Sequence, residues 1–393
     1  MSLKDTFKEQ RHTIRDYGMY IAFLLIVIFF TITTKGLFIS PRNIGNLVNA
    51  TSYIAVLAVG MTLVIVIRHI DLSVGYLAGT LGAIAAIALK FWHLPVYATI
   101  PMVMVIGILA GLVTGFLVAK MKIPAFVATL AGWLFYRGTL QLVTRGTGTI
   151  IIADKTFNSM GNGFIPDLPH IGFIPDIHIV TILLGLLAIT LFIIGEINNR
   201  KKTQAYHFEV PPMNRFILKL VFISLLIAVI TWVLAGYQGL SWAAVILIIV
   251  VLVYSFISTK TVIGRHIYAV GGNPEAAELN GISVKKITYL VFASMGMLTG
   301  LAGMLYASWL RSATTIAGAG LELDAIAAAF VGGVAVAGGV GKVSGSILGA
   351  LVMASLTNGM NLLGWDISIQ YIVRALVLAG AVIFDVQTRK GAK

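Results

Sequence analysis

Long apolar runs are the feature that most constrains what this chain can fold into. Runs of about 15 to 25 residues, the length that a helix needs to cross roughly 30 Å of hydrocarbon, follow one another through 393 residues. Only 11% of the residues are charged, whereas a soluble domain carries roughly a quarter. The pattern therefore predicts an all-α polytopic membrane protein, and it excludes a β-barrel, which would show short alternating segments.

The apolar runs predict about ten transmembrane helices in a single domain covering 1–393. A glycine-rich region at 322–363 is predicted to hold broken or re-entrant segments, which would raise the total to as many as twelve. The first run lacks a small-x-small cleavage site before Lys35 and more spans follow it, so we interpret it as a retained helix. The ten spans are placed at 19–34, 46–67, 73–89, 96–118, 123–142, 178–195, 216–235, 242–258, 287–309 and 367–384.

The charge balance is strongly basic, with 28 Lys and Arg against 15 Asp and Glu and a net charge of +13. On a soluble chain this excess would indicate nucleic acid. Here most of the basic residues fall at span ends that share one side, which is typical of positive-inside topology. We therefore predict an inner-membrane protein with both termini cytoplasmic, in contact with membrane lipid, and without a nucleic-acid partner. The absence of cysteine excludes disulfides and Cys-based metal or redox sites.

Three connections are long enough to have roles of their own. Residues 144–176 are predicted as an extracytoplasmic loop, either a plain connector or a docking surface for an external partner. Residues 196–215 hold Arg200, Lys201 and Lys202 and are predicted as a basic cytoplasmic loop near anionic headgroups. Residues 258–287 form the third loop, also cytoplasmic.

The third loop carries the signals of a short helix on the membrane surface. Asn273 can cap it, Pro274 suits the first helical position, and Glu275 suits the positive end of the helix dipole. Gly281 can end the helix in a left-handed conformation. The helix is either passive punctuation or a partner-binding element, in which exposed small residues flanked by carboxylates enter a groove. Those central residues are Ala276, Ala277 and Glu278.

Glycines recur every four residues in several apolar segments, a spacing that lets helix backbones approach closely. This spacing predicts helix–helix contacts and requires no ligand. The longer series are Gly107, Gly111, Gly115 and Gly341, Gly345, Gly349, and the shorter pairs are Gly75, Gly79 and Gly296, Gly300.

The glycine-rich stretch ending at Lys342 does not form a phosphate-binding loop. Val336 stands where that motif requires its first glycine, and Val343 follows the lysine where Ser or Thr is required. We therefore expect no nucleotide site in this chain. The glycines favour instead a broken or re-entrant helix pair, which membranes tolerate only where protein or an aqueous cavity satisfies the freed backbone.

Ionisable residues in or beside the spans are candidates for a pathway or gate, because each is costly at membrane depth. Arg137 and Arg374 either snorkel to the surface or pair with a carboxylate. Glu322 and Asp324 precede an apolar helix and suit its first turn. Asp71 either caps the following helix together with Ser73 or shapes a break between two half-helices. No metal-ligand spacing or catalytic pair stands out, so we expect neither a metal site nor an enzyme.

Several motifs resemble those of permease subunits of monosaccharide ABC importers, the family of the ribose, galactose, arabinose and xylose systems, and they occur in the order of that family. The likeness extends over nearly the whole chain, and its length, its basic 196–215 segment and Phe208–Val210 resemble the xylose or multiple-monosaccharide branch. A departure is Arg68-His69, where many members carry a small or acidic residue. The motifs are Ile70–Gly75, Pro124–Gly132, Gly264–Asn273, Glu275–Ala277, Gly281-Ile282, Glu322–Ala328, Gly332-Gly333 and Gly338–Gly341.

The resemblance implies a homodimer of permeases that works by alternating access. An external sugar-binding protein would deliver a monosaccharide, and two copies of a cytoplasmic ABC ATPase, which bind the ATP and Mg, would drive the cycle. The 273–282 helix would couple to that ATPase, and this chain would hold no cofactor. The residues also indicate a diverged internal duplication, because Asp71 and Asp324 each begin a helix that is followed by a glycine series.

Two other functions stay open. An ion-coupled secondary transporter would need a mid-membrane carboxylate or histidine, and a branched-chain amino acid permease shares the general plan of the family.

Overall fold

A computed structural model of the chain describes residues 19–169, 177–206, 208, 210 and 212–390, with backbone alone over 384–390. The predicted basic N-terminus and parts of the predicted loops at 144–176 and 196–215 lie outside these residues. Within the described part, seven helices are long and apolar enough to cross a membrane, and three shorter apolar helices accompany them. The predicted all-α polytopic fold is confirmed.

Fifteen α-helices, a 3-10 helix at Leu37–Ile39 and two short strands follow one another through the described residues. The helices are α1 (Met19–Thr33), α2 (Pro41–Val66), α3 (Val74–Lys90), α4 (Val96–Ala119), α5 (Ala125–Thr144), α6 (Lys155–Asn162), α7 (Ile179–Ala205), α8 (Met213–Ala235), α9 (Trp242–Lys260), α10 (Val262–Gly272), α11 (Pro274–Leu279), α12 (Val284–Leu310), α13 (Leu321–Val331), α14 (Val343–Leu362) and α15 (Ile367–Lys390). The strands are β1 (Thr149–Ile151) and β2 (Ser312–Thr314).

Helix positions agree with the predicted spans to within a few residues, with two differences. Helix α7 continues to Ala205, so Arg200, Lys201 and Lys202 lie on its last turns and not in a loop. Long basic side chains are good helix formers, so the basic run continues the helix. Helix α5 covers the predicted span at 123–142, yet it is less apolar than the seven long candidates.

The core is built around α2 and α12. Nearly every residue of α2 from Thr51 to Val66 is buried, and α12 packs against α2, α3 and α4. Over this stretch α2 has no side that faces lipid.

The first glycine series lies at the contact between α4 and α12. A Cβ added at Gly107 would strike the carbonyl oxygen of Gly296, and one added at Gly111 would strike that of Phe292. Gly115 faces the backbone of Tyr289. The backbones of α4 and α12 therefore approach each other closely from Gly107 to Gly115. A larger residue at Gly107 or Gly111 would push the two helices apart.

A Gly111→Ala substitution is expected to destabilise the protein by about 1–3 kcal/mol, because the added methyl group would force α4 and α12 apart. The matched control is Gly195→Ala on α7, where an added Cβ meets nothing within 4 Å; there alanine should be neutral or stabilising by up to about 1 kcal/mol. Thermal unfolding of the purified protein in detergent compares the two. Equal effects would contradict the close packing of α4 on α12.

The second series behaves differently along its length. Gly345 and Gly349 face the backbone of Gly332 and Ala328, so they pack α14 against α13. Gly341 precedes the first residue of α14 and lies in the connection at 332–342. Gly341 therefore shares the four-residue spacing of Gly345 and Gly349, but it lies before α14 and takes no part in the contact between α13 and α14.

The predicted break in the glycine-rich region is present. Helix α13 ends at Val331, and Gly333, two residues later, has a left-handed φ of 85°. Helix α14 begins at Val343. The 11 residues between them turn on Gly338 and Gly339, whose φ values are 80° and 72°. Positive φ is accessible to glycine without steric cost, so the glycines permit this turn.

Part of the predicted loop at 144–176 is ordered on the end of α12. Strand β1 pairs antiparallel with β2, and α6 follows. The Asn162 side chain donates to the carbonyl of Ser308 at 2.7 Å, and the Ser308 hydroxyl accepts from the Gly161 N–H at 2.7 Å. This segment is therefore a structured cap on the helix bundle.

Candidate functional site

Helix α11 is a short capped helix that follows α10 after one residue. The Asn273 side chain accepts from the Ala276 N–H at 3.1 Å, Pro274 occupies the first turn, and Gly281 follows the helix with a φ of 80°. These contacts reproduce the local geometry expected from the sequence. They fix a six-residue helix on the same side of the protein as the ends of α2 and α4, which border a cleft beside it.

The surface that α11 presents differs from the predicted one. Ala277 is buried, and Ala276 is half-buried, because this face packs toward α10 and α12. The exposed side chains are Glu275, Glu278 and Leu279, and Leu279 is 90% exposed. The expectation that exposed alanines form the contact surface is wrong. The exposed surface consists instead of Leu279 and the carboxylates of Glu275 and Glu278.

A cleft of about 550 Å³ separates α11 from the ends of α2 and α4. Its charged lining consists of Arg68, Lys122, Glu278 and Lys285. Sequence reasoning did not find this cleft, because its walls come from four separate segments of the chain. Only the basic residues at the span ends gave a signal.

Asp71 and Ser73 lie in the connection between α2 and α3. One Asp71 carboxylate oxygen accepts from both the N–H and the hydroxyl of Ser73, at 2.9 and 2.6 Å. Both residues are buried, and a Cβ added to Gly132 on α5 would contact Ser73. The pair therefore shapes the break between α2 and α3 against α5, and Ser73 itself makes no side-chain cap.

Glu322 and Arg137 are brought into one cluster by aromatic residues. The Trp133 Nε1–H donates to one oxygen of the Glu322 carboxylate at 3.0 Å, and the other oxygen lies against Gly75. The Arg137 guanidinium lies 5.4 Å from the Trp133 ring centroid and 5.8 Å from that of Tyr76. Sequence reasoning selected the two charged residues and missed Tyr76 and Trp133, which carried no signal beyond being aromatic.

Glu322 is 6% exposed, and its second carboxylate oxygen has no hydrogen-bond partner among the described residues. A buried polar atom without a partner is unusual and calls for a functional or structural explanation. Glu322 lies in the first turn of α13, as predicted, where the helix dipole favours a negative charge.

Asp324 and Arg374 form an ion pair that joins α13 to α15. Both side chains are largely buried, at 13% and 20% exposure, so Arg374 pairs with a carboxylate and does not snorkel. The predicted duplication would make Asp71 and Asp324 equivalent, but their contacts differ. Asp71 accepts hydrogen bonds from Ser73, whereas Asp324 pairs with Arg374.

The described residues group no three His, Asp or Glu side chains closely enough to hold a metal ion.

Asp167, in the segment before α7, caps that helix. Its carboxylate accepts from the N–H groups of Ile179 and Val180 at 3.1 and 3.0 Å. The hydrogen bond from Val180 is the main cause that lowers the pKa of Asp167 below its usual value. A carboxyl group whose pKa is lowered by folding stabilises the folded state at pH values above its ordinary pKa of about 4. This stabilisation is lost as the pH falls through the pKa of the folded state.

We therefore expect the amide hydrogens of Ile179 and Val180 to exchange faster as the pH falls below about 4, after correction for intrinsic exchange. Asp167→Asn should weaken this cap at neutral pH as well, because the neutral amide accepts less strongly. Hydrogen exchange with mass spectrometry measures both. Identical protection in Asp167→Asn and the parent chain would contradict the capping role.

The apolar helices, the break between α13 and α14, and the projecting α11 define a multi-pass helical membrane protein. Residues 43–382 match the model of a family described as branched-chain amino acid transport system, permease component. The chain belongs to this permease family.

Three relatives show the same relationship over nearly the full length. The chain is 38% identical over 384 residues to the xylose transport system permease protein of Haemophilus influenzae, which covers 98% of this chain and 99% of that one. Identity to the xylose permease protein of Escherichia coli is 37%, over 95% and 92% of the two chains. Identity to the ribose import permease protein of Haemophilus influenzae is 35%, over 93% and 91%. No solved structure matches the chain.

Proposed function

We propose that this chain is the transmembrane permease subunit of a binding-protein-dependent ABC importer for a monosaccharide, xylose or a related aldose. The observation that carries the proposal is the full-length similarity to permease proteins named for xylose and ribose. In this proposal the chain forms the translocation pathway by alternating access, and it hydrolyses no ATP itself. ATP and Mg belong to a separate ATPase subunit.

Helix α11 is the proposed docking element for that ATPase. Its capping fixes the backbone, so a partner meets a preorganised surface. Leu279, 90% exposed, offers an apolar anchor, and Glu275 and Glu278 offer charge for basic residues of the partner. Docking from the cytoplasm agrees with the proposed topology, in which both termini face inward in the bacterial inner membrane.

The cluster of Glu322, Trp133, Tyr76 and Arg137 is the proposed sugar-contacting part of the pathway. Aromatic faces stack on the apolar faces of sugars, and a carboxylate and a guanidinium bind hydroxyl groups by charge-assisted hydrogen bonds. Asp71, Ser73, Asp324 and Arg374 remain gating candidates around it. A homodimer and an extracytoplasmic sugar-binding protein, docking on the segment that includes β1 and α6, complete the proposed assembly.

A second function has one observation in its favour. An ion-coupled transporter needs a carboxylate at membrane depth, and Glu322 is buried with an unpaired oxygen. Uptake that stops with an uncoupler while ATP persists would support this function. The family description also names branched-chain amino acids; binding of these by the partner protein, in place of sugars, would support that substrate.

Reconstitution tests the proposal. The purified chain alone should hydrolyse no ATP, whereas proteoliposomes that also hold the cognate ATPase should hydrolyse it faster when the sugar-loaded binding protein is added. A screen of that binding protein against xylose, arabinose, glucose and galactose identifies the sugar. Uphill uptake by the isolated chain under an ion gradient alone would overturn the proposal.

A further inference from the structure

The end of α2 carries a non-glycine residue at its left-handed position, as do the ends of α1, α3, α4 and α12. Arg68 has a φ of 65°, and its N–H and that of His69 close the helix on the carbonyls of Ile65 and Val64 at 2.9 and 3.0 Å. Glycine usually occupies this position, because a side chain there is strained. Strain of this kind persists where surrounding contacts hold it, which directs attention to the Arg68 side chain.

The Arg68 guanidinium binds the carboxyl end of α10. Its Nε–H donates to the carbonyl of Gly271 at 2.7 Å, and an Nη2–H donates to the carbonyl of Gly272. A cation at this end of a helix satisfies carbonyls that have no partner within the helix and is favoured by the helix dipole. Arg68 therefore ties α2 to α10 immediately before Asn273 and α11.

The connection between α13 and α14 joins the same point. The Gly339 N–H donates to the carbonyl of Val66 at 2.8 Å, and the Tyr268 hydroxyl of α10 donates to the carbonyl of Gly341 at 2.6 Å. Gly338 packs on the aliphatic stem of Arg68, because a Cβ there would overlap the arginine Cγ. We call this junction of Val66, Arg68, Tyr268, Gly271-Gly272 and 338–341 the α10 junction.

We propose that Arg68 is the positioning residue that transmits movement of α11 to the end of α2 and to the break between α13 and α14. The inference rests on the proposed function, in which an ATPase moves α11. Since Asn273 alone separates α10 from α11, a displacement of α11 carries the last turn of α10 with it. The two carbonyl contacts of Arg68, together with the Tyr268–Gly341 contact, then pass that displacement to two membrane-embedded elements.

Arg68→Gly relieves the backbone strain while removing the contacts to Gly271 and Gly272, so it separates stability from transmission. The matched control is Lys35→Gly, which also removes an exposed basic side chain from a left-handed position, φ 53°, in the connection after α1. Tyr268→Phe removes the contact with Gly341 alone.

Transport coupling is measured in proteoliposomes with the cognate ATPase and sugar-loaded binding protein. We expect Arg68→Gly to bind the ATPase as the parent chain does, but to move about tenfold less sugar for each ATP hydrolysed, a loss in the usual range of coupling effects. Tyr268→Phe should show a smaller loss, and Lys35→Gly none. A parent-like ratio of transport to hydrolysis in Arg68→Gly would overturn the inference.

Hydrogen exchange on the chain alone, in nanodiscs, tests the junction without any ATPase. Arg68→Gly should speed exchange in both 266–282 and 333–342, whereas Lys35→Gly should leave both unchanged. Unchanged exchange in 333–342 would overturn the inference even where the reconstituted importer works. The parent chain could instead fail to stimulate any ATPase while the exchange result is as expected. That outcome would count against the proposed function, and Arg68 would then join these elements without transmitting movement.

Discussion

Replacing Arg374 with leucine is expected to lower the free energy of unfolding by about 3–5 kcal/mol, because it leaves the Asp324 carboxylate buried and unpaired. The pair joins α13 to α15, and both side chains are mostly hidden from solvent. Removing both partners in Asp324→Asn/Arg374→Leu should recover most of the loss, since no uncompensated charge then remains. Thermal unfolding in detergent compares the three chains.

The matched control is a second ion pair between two helices. Lys219 of α8 lies 2.8 Å from Glu196 of α7, with side-chain exposures of 50% and 24%. Because the lysine is half-exposed, Lys219→Leu should change the free energy of unfolding by about 1 kcal/mol or less. A double variant no more stable than Arg374→Leu would show that the arginine acts through packing and not through its charge.

Replacing Leu279 with lysine is expected to abolish most binding-protein-stimulated ATP hydrolysis and sugar uptake while the chain folds normally. Leu279 is 90% exposed, so the substitution buries no charge within the chain and should change stability by about 0.5 kcal/mol or less. At the proposed ATPase contact it replaces the apolar anchor with a positive charge. Loss of an anchor residue typically costs about 2 kcal/mol or more of binding, which is roughly thirtyfold in affinity.

The affinity of the detergent-purified chain for its ATPase, measured by surface plasmon resonance, reads this effect directly. Tyr206→Lys is the control, because Tyr206 is 75% exposed and lies between α7 and α8, on a segment other than α11. Normal ATPase affinity in Leu279→Lys would remove α11 from the proposed interface. A loss in both variants would indicate a general effect of surface charge.

Local signals in the sequence predicted local structure well. Asn273, Pro274 and Gly281 predicted the bounds of α11 because capping, proline at the first turn and a left-handed glycine act within a few residues. The apolar runs predicted the spans for a similar reason, since the thickness of the bilayer sets a length that each helix meets alone. The bounds of α7 were less predictable, because Arg200–Lys202 suits a helix and a loop equally.

Contacts between distant residues were not predictable from these signals. The sequence indicated that Gly111 allows close approach, but not that its neighbour is Phe292. It marked Asp324 and Arg374 as separate charges, and it left Arg68 without a role.

The sequence by itself determined that this chain is a helical membrane protein of the permease type, with a capped surface helix and a break near Gly338. Apolar length and cap chemistry depend only on neighbouring residues. Tertiary structure decided which face of α11 is exposed, that Asp324 pairs with Arg374, and that Arg68 joins three segments. These outcomes depend on how helices far apart in the chain pack against one another, and the energy of such packing has no counterpart in any single stretch of sequence.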